Sequence, residues 1–312
     1  MQKYLLGFAI VLAAVAALLW FGNNYVLRLA TTVAMYIALA VSWNIVGGFS
    51  GYPTFATAAF FGLGAYIAAV AQVNGAPIYL SWLTAGALAA LFASGLGLSI
   101  LHLRGHYFAI GSLVIADVLR EVINSWTDVT GGGMGLNVPL ITPGVDSQAQ
   151  FFLVTMTVLA TLAFAASVWV AKSKLGVALR CIEQNEDAAQ IIGVNTRHAK
   201  VSAFVISSFF IATAGGIYAS WVTYIDTTDV FDISLSVKPI IMVLLGGLGT
   251  LIGPVVGAIS FLALEELIWR NSLEFHTGIL GLIVVALVLF LPAGLTHFRS
   301  LGIAQLMKWR RQ

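Results

Sequence analysis

Long apolar runs separated by short polar links follow one another along almost the whole chain. A bilayer core of about 30 Å is crossed by roughly 20 apolar residues in an α-helix, because a helix satisfies its own backbone hydrogen bonds where water is absent. We therefore predict an all-α membrane protein with about ten membrane segments, of which the short segment 237–247 either crosses or re-enters. The predicted segments are residues 4–21, 26–46, 54–72, 79–101, 107–124, 151–171, 201–220, 237–247, 250–269 and 278–291.

Lysine and arginine are distributed unevenly between the links, and this asymmetry predicts the orientation of the chain. Basic residues beside membrane segments stay on the cytoplasmic side. If every segment crosses and the amino terminus is cytoplasmic, the link 125–150, which contains no lysine or arginine, lies outside. The same alternation puts the link 172–200 and the carboxyl terminus in the cytoplasm. The basic residues then left outside are Arg28, Arg120, Lys238 and Arg270.

The composition agrees with a chain embedded in lipid and narrows the possible functions. Hydrophobic residues make up 60% of the sequence, charged residues only 9%, and the mean hydropathy is +0.96. No polar block is long enough to fold separately, so we predict one transmembrane domain over residues 1–312. The single cysteine, Cys181, excludes an internal disulfide and has no ligand-spaced companions, so no metal site is predicted. The basic residues form no stripe or tail, and nucleic acid is not an expected partner.

One polar stretch, residues 175–200, stands out against this apolar background. Its mixture of apolar and charged positions favours a short amphipathic helix at the cytoplasmic membrane face, and Gly193 with Asn195 is typical of a helix end. On charge alone, a solvated connector and a docking segment are equally good interpretations. The charged residues of the stretch include Arg180, Glu183, Glu186, Asp187, Arg197 and Lys200.

A motif within this stretch favours the docking segment. Glu186, Asp187, Ala188, Ala189 and Gly193 form the pattern E-x-A-A-x-x-x-G, similar to the coupling loop by which permeases of ATP-binding-cassette importers dock on their ATPase subunits. Small alanines permit close approach, carboxylates meet basic or polar partner groups, and the glycine lets the chain turn. The longer stretch 173–219 resembles the permease subunits of branched-chain amino acid importers, the LivM-like family. The stretches 103–136, 243–258 and 289–295 resemble the same family.

The resemblance implies a non-catalytic permease of the ABC importer architecture, which carries branched-chain amino acids or a related small solute through the bacterial cytoplasmic (inner) membrane. Its coupling segment would be residues 173–200, with Arg180 and Glu183 beside the motif. The implied partners are a second, LivH-like permease, two ATP-binding subunits (LivG-like and LivF-like), a periplasmic or extracellular solute-binding protein and membrane lipid. The chain itself would bind no cofactor, because ATP and magnesium are used by the partner subunits.

Three polar or glycine-rich groups are candidates for the translocation pathway. The first replaces the polar residues that the family commonly has before its third span, and broken helices often line transporter pathways. The second is an outer turn, for which a structural role is the first interpretation and contact with the solute is the second. The third either permits tight helix crossing or interrupts a helix whose backbone lines the pathway. In chain order the groups are Tyr52, Pro53, Thr54 and Thr57; Thr130, Gly131 and Gly132; and Gly246, Gly247 and Gly249.

Three charged residues lie inside the fifth predicted segment. Asp117, Arg120 and Glu121 are spaced i, i+3 and i+4, so they share one helix face. We expect an internal ion pair of Arg120 with one of the acids, with a polar pathway as the second interpretation. An alternative function is a secondary transporter or channel without ATPases. It would need ionisable relays inside the membrane, for which Glu265 and Glu266 are further candidates.

Overall fold

The structure, a computed structural model, describes residues 19, 22–101, 103, 105–140, 144–271 and 281, except for the side chains of 145, 146 and 269–271. It is mostly α-helical, with two short strands and a 3-10 turn at Gly132–Met134. The helices are α1 (Asn24–Ser50), α2 (Thr57–Val73), α3 (Ile78–Ile100), α4 (His106–Ser125), α5 (Thr127–Thr130), α6 (Val145–Lys172), α7 (Lys174–Gln184), α8 (Glu186–Ile191), α9 (Thr196–Val222), α10 (Thr227–Val230), α11 (Ser234–Gly246) and α12 (Gly253–Asn271). The strands are β1 (Leu136–Asn137) and β2 (Tyr224–Ile225).

Four of the described helices are long and apolar enough to cross a membrane: α1, α3, α6 from Ser147 onward, and α9. The helix α2 is apolar but shorter. At 1.5 Å per residue, α11 is about 20 Å long, less than the hydrocarbon core of about 30 Å. The predicted segments 4–21 and 278–291 lie almost entirely outside the described residues. The helical class is confirmed, whereas the number of crossings and the position of the termini stay predictions.

The core of the bundle is formed where α9 crosses α2 and α3. A Cβ atom added to Gly64 would lie 2.1 Å from the carbonyl oxygen of Ala212, and one added to Gly215 would lie 2.0 Å from that of Phe61. The two backbones therefore lie too close for any side chain between them. Small residues at such crossings allow van der Waals packing, which holds membrane helices together when lipid supplies no hydrophobic drive. The helix α1 packs against α9 and α6.

The links gather at two ends of the bundle. At one end β1 pairs antiparallel with β2, with Leu136 opposite Ile225 and Asn137 opposite Tyr224. At the other end α8 meets the link 51–56, and the beginning of α9 meets the carboxyl-terminal end of α3. The helix α9 connects the two ends. This arrangement agrees with the predicted alternation of the links, and the assignment of the α7–α8 end to the cytoplasm stays a prediction.

Candidate functional site

The polar stretch folds as two short helices joined by an extended residue, whereas the sequence predicted a single helix. Asn185 is extended, and its side chain accepts a hydrogen bond from the backbone N–H of Ala188 at 3.0 Å, which caps α8. At the other end the N–H of Val194 donates to the carbonyl oxygen of Ala189 at 3.0 Å, and Gly193 has a φ of 89°. This is a Schellman arrangement, for which glycine is favoured. The helix end predicted at Gly193 is confirmed.

Glu186 points into the protein, where it meets Lys200 and Tyr52. The Lys200 Nζ lies 2.7 Å from Glu186 Oε1 and donates to the carbonyl oxygen of Leu101 at 2.8 Å. The Tyr52 hydroxyl donates to Glu186, and the Lys200 Nζ lies 4.3 Å from the centroid of the Tyr52 ring. The side chains of Lys200 and Glu186 are only 4% and 11% exposed. This Glu186–Lys200–Tyr52 cluster ties α8 to α9, to the end of α3 and to the link 51–56.

The motif has a second face, which is open. Ala189 is 2% exposed and packs inward like Glu186, whereas Asp187 and Ala188 are exposed. Beside them Ile191 and Ile192 are 86% and 71% exposed. Exposed apolar patches rimmed by polar residues mark interaction sites. Half of the motif therefore holds α8 to this chain, and the other half presents a surface, which we call the α8 outer face (Asp187, Ala188, Ile191 and Ile192).

The remaining predicted coupling residues lie on α7 at the same end of the bundle. The exposed guanidinium of Arg180 donates to the carbonyl oxygen of Ala171 near the end of α6, at 3.2 Å. Glu183 is exposed, and a Cβ atom added to Gly51 would lie 3.2 Å from its Cγ atom. A positive side chain at a helix carboxyl terminus is favourable, so Arg180 also stabilises the end of α6. The structure brings these two residues near the α8 motif without joining them into one cluster.

The non-helical link 51–56, which contains three of the pathway candidates, is held from three sides. The indole N–H of Trp43 donates to the carbonyl oxygen of Thr54 at 2.7 Å. The backbone N–H of Phe55 donates to the Ser112 hydroxyl at 2.8 Å, and the Ser236 hydroxyl donates to the carbonyl oxygen of Phe55 at 2.6 Å. Irregular backbone at membrane depth is tolerated where protein satisfies its polar groups. The link is therefore fixed by α1, α4 and α11 together.

The four pathway candidates of this region lie in different surroundings. Tyr52 contacts Glu186, Thr54 is 3% exposed, and Pro53 is exposed. The hydroxyl of Thr57 is buried and has no hydrogen-bond partner within the part of the chain that the structure describes. Tyr52 thus contacts the predicted coupling segment directly, and a role of the group in a solute pathway stays a prediction.

The helix interruption predicted near residues 246–249 is present between α11 and α12. Asn44 of α1 donates through Nδ2 to the carbonyl oxygen of Thr250 at 2.9 Å and accepts from the N–H of Gly249 at 3.1 Å. A Cβ atom added to Gly246 would lie 1.8 Å from the carbonyl oxygen of the first residue of α12, and Gly247 has a φ of 125°. Close packing and turn geometry account for these glycines, and a pathway role for them stays a prediction.

The second candidate group, Thr130, Gly131 and Gly132, is a closed turn at the β1–β2 end. The Thr130 hydroxyl lies 2.6 Å from the carbonyl oxygen of Ile123 and accepts from the N–H of Gly132 at 3.3 Å. Gly131 and Gly132 have φ values of 70° and 55°, which glycine adopts readily. The polar atoms of this turn satisfy one another, which agrees with the structural role expected first.

Comparison with known proteins places this helical bundle and its coupling-like segment in a family. Residues 25–291 match the family model described as "Branched-chain amino acid transport system / permease component". The chain belongs to this family.

Relatives of this permease carry corresponding names. The high-affinity branched-chain amino acid transport system permease protein LivM of Escherichia coli (strain K12) is 28% identical over 294 residues, which cover 86% of this chain and 69% of the relative. A probable LivM permease of Methanocaldococcus jannaschii is 22% identical over 89% of this chain and 91% of its own length. LivH of Salmonella typhimurium is 23% identical over 85% of this chain and 92% of its own length. No solved structure matches the chain.

The permease carries charge on an open face of α4. Asp117, Arg120 and Glu121 are all exposed, and among the described residues no ion pair joins them. The expected internal pair is therefore not formed, because no packed neighbour holds these long side chains together against their loss of rotamer entropy. A charge at the centre of a bilayer costs about 2.5–3.5 kcal/mol. In the membrane this face needs polar neighbours beyond those that the described residues supply.

The sequence alone did not reveal several polar residues that organise the permease. The fixed positions of 51–56 and 247–252 depend on Asn44, Ser112 and Ser236, and the burial of Glu186 depends on Lys200. Lys238 on α11 pairs with an acid on α12. A lone lysine or asparagine inside an apolar segment is the available signal, since such a residue needs a partner there. Spacing along the chain does not say which partner.

Proposed function

We propose that this chain is a permease subunit of an ATP-binding-cassette importer and forms part of the translocation pathway for branched-chain amino acids or a related small solute. The family match over residues 25–291 carries the proposal. Relatives named LivM and LivH support the solute class. In this proposal ATP and magnesium are used by partner subunits, and the chain itself is non-catalytic.

Different surfaces of the bundle suit different partners. The α8 outer face would dock on the LivG-like and LivF-like ATP-binding subunits, and the β1–β2 end would receive solute from a binding protein. The charged face of α4 would turn towards a LivH-like permease, because its charges need polar neighbours within the membrane. The chain would lie in the bacterial cytoplasmic membrane with both termini in the cytoplasm.

The two faces of α8 suggest how movement is transmitted. A partner that moves the α8 outer face moves Glu186 on the opposite side of the same short helix. Glu186 is bound to Lys200 and Tyr52, and Lys200 is bound to the carbonyl oxygen of Leu101. A displacement of α8 would therefore reach α9, α3 and the link 51–56 directly. Transport requires such a change between two states that the ATPase subunits favour differently.

The first prediction concerns the α8 outer face. Replacing Ala188 by tryptophan together with Ile191 by aspartate is expected to abolish co-purification of the ATP-binding subunits. ATP-driven leucine uptake is expected to fall by about tenfold or more, since disrupting the centre of an interface costs about 2 kcal/mol or more. Both positions are exposed in this chain, so the permease itself should still fold. Affinity purification from membranes and uptake into proteoliposomes measure the two effects.

A matched control is Met134→Asp at the opposite end of the bundle, where the side chain is 87% exposed. It introduces the same charge at a similarly open apolar position and should leave the ATP-binding subunits attached. If the α8 double variant also keeps its ATP-binding subunits and its uptake, the α8 outer face is not the docking surface.

A second prediction tests the orientation. Cys181, the single cysteine of the chain, is partly exposed on α7. A maleimide that cannot cross the bilayer should label it in inverted membrane vesicles and leave it unlabelled in intact spheroplasts. Labelling from outside intact spheroplasts would contradict a cytoplasmic coupling segment. Labelling after detergent treatment controls for a thiol that is hindered in both preparations.

The ion pair of Lys238 with Glu265 favours one second candidate function. A secondary transporter uses ionisable groups inside the membrane as relays for its coupling ion, and this pair lies between two membrane-segment helices. Such a transporter would take up solute under an ion gradient without ATP-binding subunits. Uptake by the purified chain alone would support it, whereas a strict requirement for ATP and co-purifying ATPases supports the importer.

A further inference from the structure

A cavity of about 480 Å³ opens between α1, α9, α11 and α12. Its volume falls within the roughly 300–1,000 Å³ of small-molecule sites. The Lys238 Nζ lies 5.6 Å from the centroid of the Tyr36 ring, and Tyr36 is near the middle of α1. The cavity therefore extends from the β1–β2 end of the bundle towards the middle of α1. An ionisable group inside a predicted membrane segment indicates a functional site.

The cavity contains both signs of charge. The Lys238 Nζ lies 2.7 Å from Glu265 Oε1, and the two side chains are 27% and 30% exposed. They are therefore paired with each other and still accessible. The carboxylates of Asp229 and Glu266 also line the cavity, and Glu266 accepts a hydrogen bond from the Tyr25 hydroxyl.

The remaining wall is aromatic and apolar. Tyr36, Tyr218 and Trp221 line it together with aliphatic side chains such as Leu262. Ligand sites commonly combine a mostly apolar wall with a few polar groups that fix the orientation of the ligand. Here the polar groups are one ammonium and nearby carboxylates, which complement a carboxylate and an ammonium on the same small molecule.

We propose that this cavity is a binding station for an α-amino acid zwitterion with an apolar side chain. The α-carboxylate replaces Glu265 on Lys238, the α-ammonium replaces Lys238 on Glu265, and the apolar side chain packs against the aromatic wall. Each charge exchanges one partner for another, so none is left unpaired inside the membrane, where breaking a pair is costly. A solute with a single charge leaves one protein charge unpaired and is rejected. The inference rests on the proposed function and assigns residues to its solute.

The test uses the complete complex in proteoliposomes, with ATP inside and labelled L-leucine and binding protein outside. The variant replaces Lys238 and Glu265 by methionine together, because removing both charges leaves no unpaired partner and is often neutral for stability. Leucine uptake should fall at least about tenfold, since the site loses both of its charge-assisted contacts with the solute. The ATP-binding subunits should still co-purify. Arg28→Met on α1, an exposed cation outside the cavity lining, should transport like the wild type.

A second measurement needs no variant. In the wild-type complex without binding protein, millimolar L-leucine should raise the thermal midpoint. Isopentylamine, which lacks the carboxylate, and 4-methylpentanoate, which lacks the ammonium, should not. Equal stabilisation by either analogue, or no stabilisation by leucine, overturns the proposal.

The outcomes distinguish a failure of the binding station from a failure of the proposed function. If the double methionine variant assembles and takes up leucine at the wild-type rate, Lys238 and Glu265 only hold α11 against α12, and the binding station is wrong while the importer stands. If no ATP-binding subunits co-purify with the wild-type chain, or its uptake needs no ATP, the proposed function itself is wrong.

Discussion

Replacing Lys200 by methionine is expected to destabilise the permease by about 3–5 kcal/mol, because removing one partner of a buried pair leaves the other charge without compensation. The unpaired group would be Glu186, whose side chain is 11% exposed. Lys200 also donates to the carbonyl oxygen of Leu101, and this contact is lost as well. The effect should appear as a strong fall in folded protein, measured by size-exclusion chromatography of the heated, detergent-solubilised chain.

Two further variants distinguish the effect of leaving a buried charge unpaired from the effect of losing a lysine side chain. Lys174→Met removes an exposed lysine at the same end of the bundle and should leave the thermal midpoint nearly unchanged. Lys200→Met combined with Glu186→Leu should recover a large part of the lost stability, because no buried charge remains. ATP-driven uptake by this double variant should stay low, since α8 is no longer tied to α9. An unchanged midpoint in Lys200→Met alone would mean that the Glu186–Lys200–Tyr52 cluster does not form.

Gly215→Val is expected to prevent folding of the bundle or to destabilise it severely. A Cβ atom at this position would lie 2.0 Å from the carbonyl oxygen of Phe61, and a backbone atom cannot rotate away as a side chain can. Overpacking typically costs about 1–3 kcal/mol, and a clash between two backbones belongs at the upper end or above it. The yield of monodisperse protein and its thermal midpoint report the effect. Gly64→Val, which clashes with Ala212 across the same crossing, should behave alike.

The control is Gly95→Ala on α3, where an added Cβ atom meets nothing within 4 Å. Alanine is the better helix former by about 1 kcal/mol, so this variant should be as stable as the wild type or slightly more stable. If Gly215→Val folds with a wild-type midpoint, the close crossing of α2 and α9 is incorrect.

The Glu186–Lys200–Tyr52 cluster and the cavity at Lys238 lie in different parts of the bundle, and α9 takes part in both. Lys200 is near the beginning of α9, and Tyr218 and Trp221 are near its end. The tight crossing at Gly215 keeps α9 and α2 together along this path. A helix that meets the predicted coupling segment at one end and the proposed binding cavity near the other would offer a direct mechanical connection between them.

Local patterns in the sequence determined the class of fold and the position of most helices. The segment predicted at 201–220 became α9, Thr196–Val222, and that at 151–171 became α6, Val145–Lys172. Apolar length decides such elements because a helix satisfies its own backbone in lipid. The stop at Gly193 was also predictable, since a residue with positive φ favours glycine wherever it occurs. The motif at 186–193 suggested a permease of an ATP-binding-cassette importer, and the longer stretch 173–219 suggested the family.

Only the tertiary structure decided which side chains meet. Glu186 was expected to face a partner and faces Lys200, while Ile191 and Ile192 are exposed instead. Asp117, Arg120 and Glu121 were expected to pair internally, but no ion pair joins them in the part of the chain that the structure describes. Such outcomes depend on how far each helix is rotated about its axis and on which distant helix lies opposite. Local sequence sets neither of these, because they result from packing the whole bundle at once.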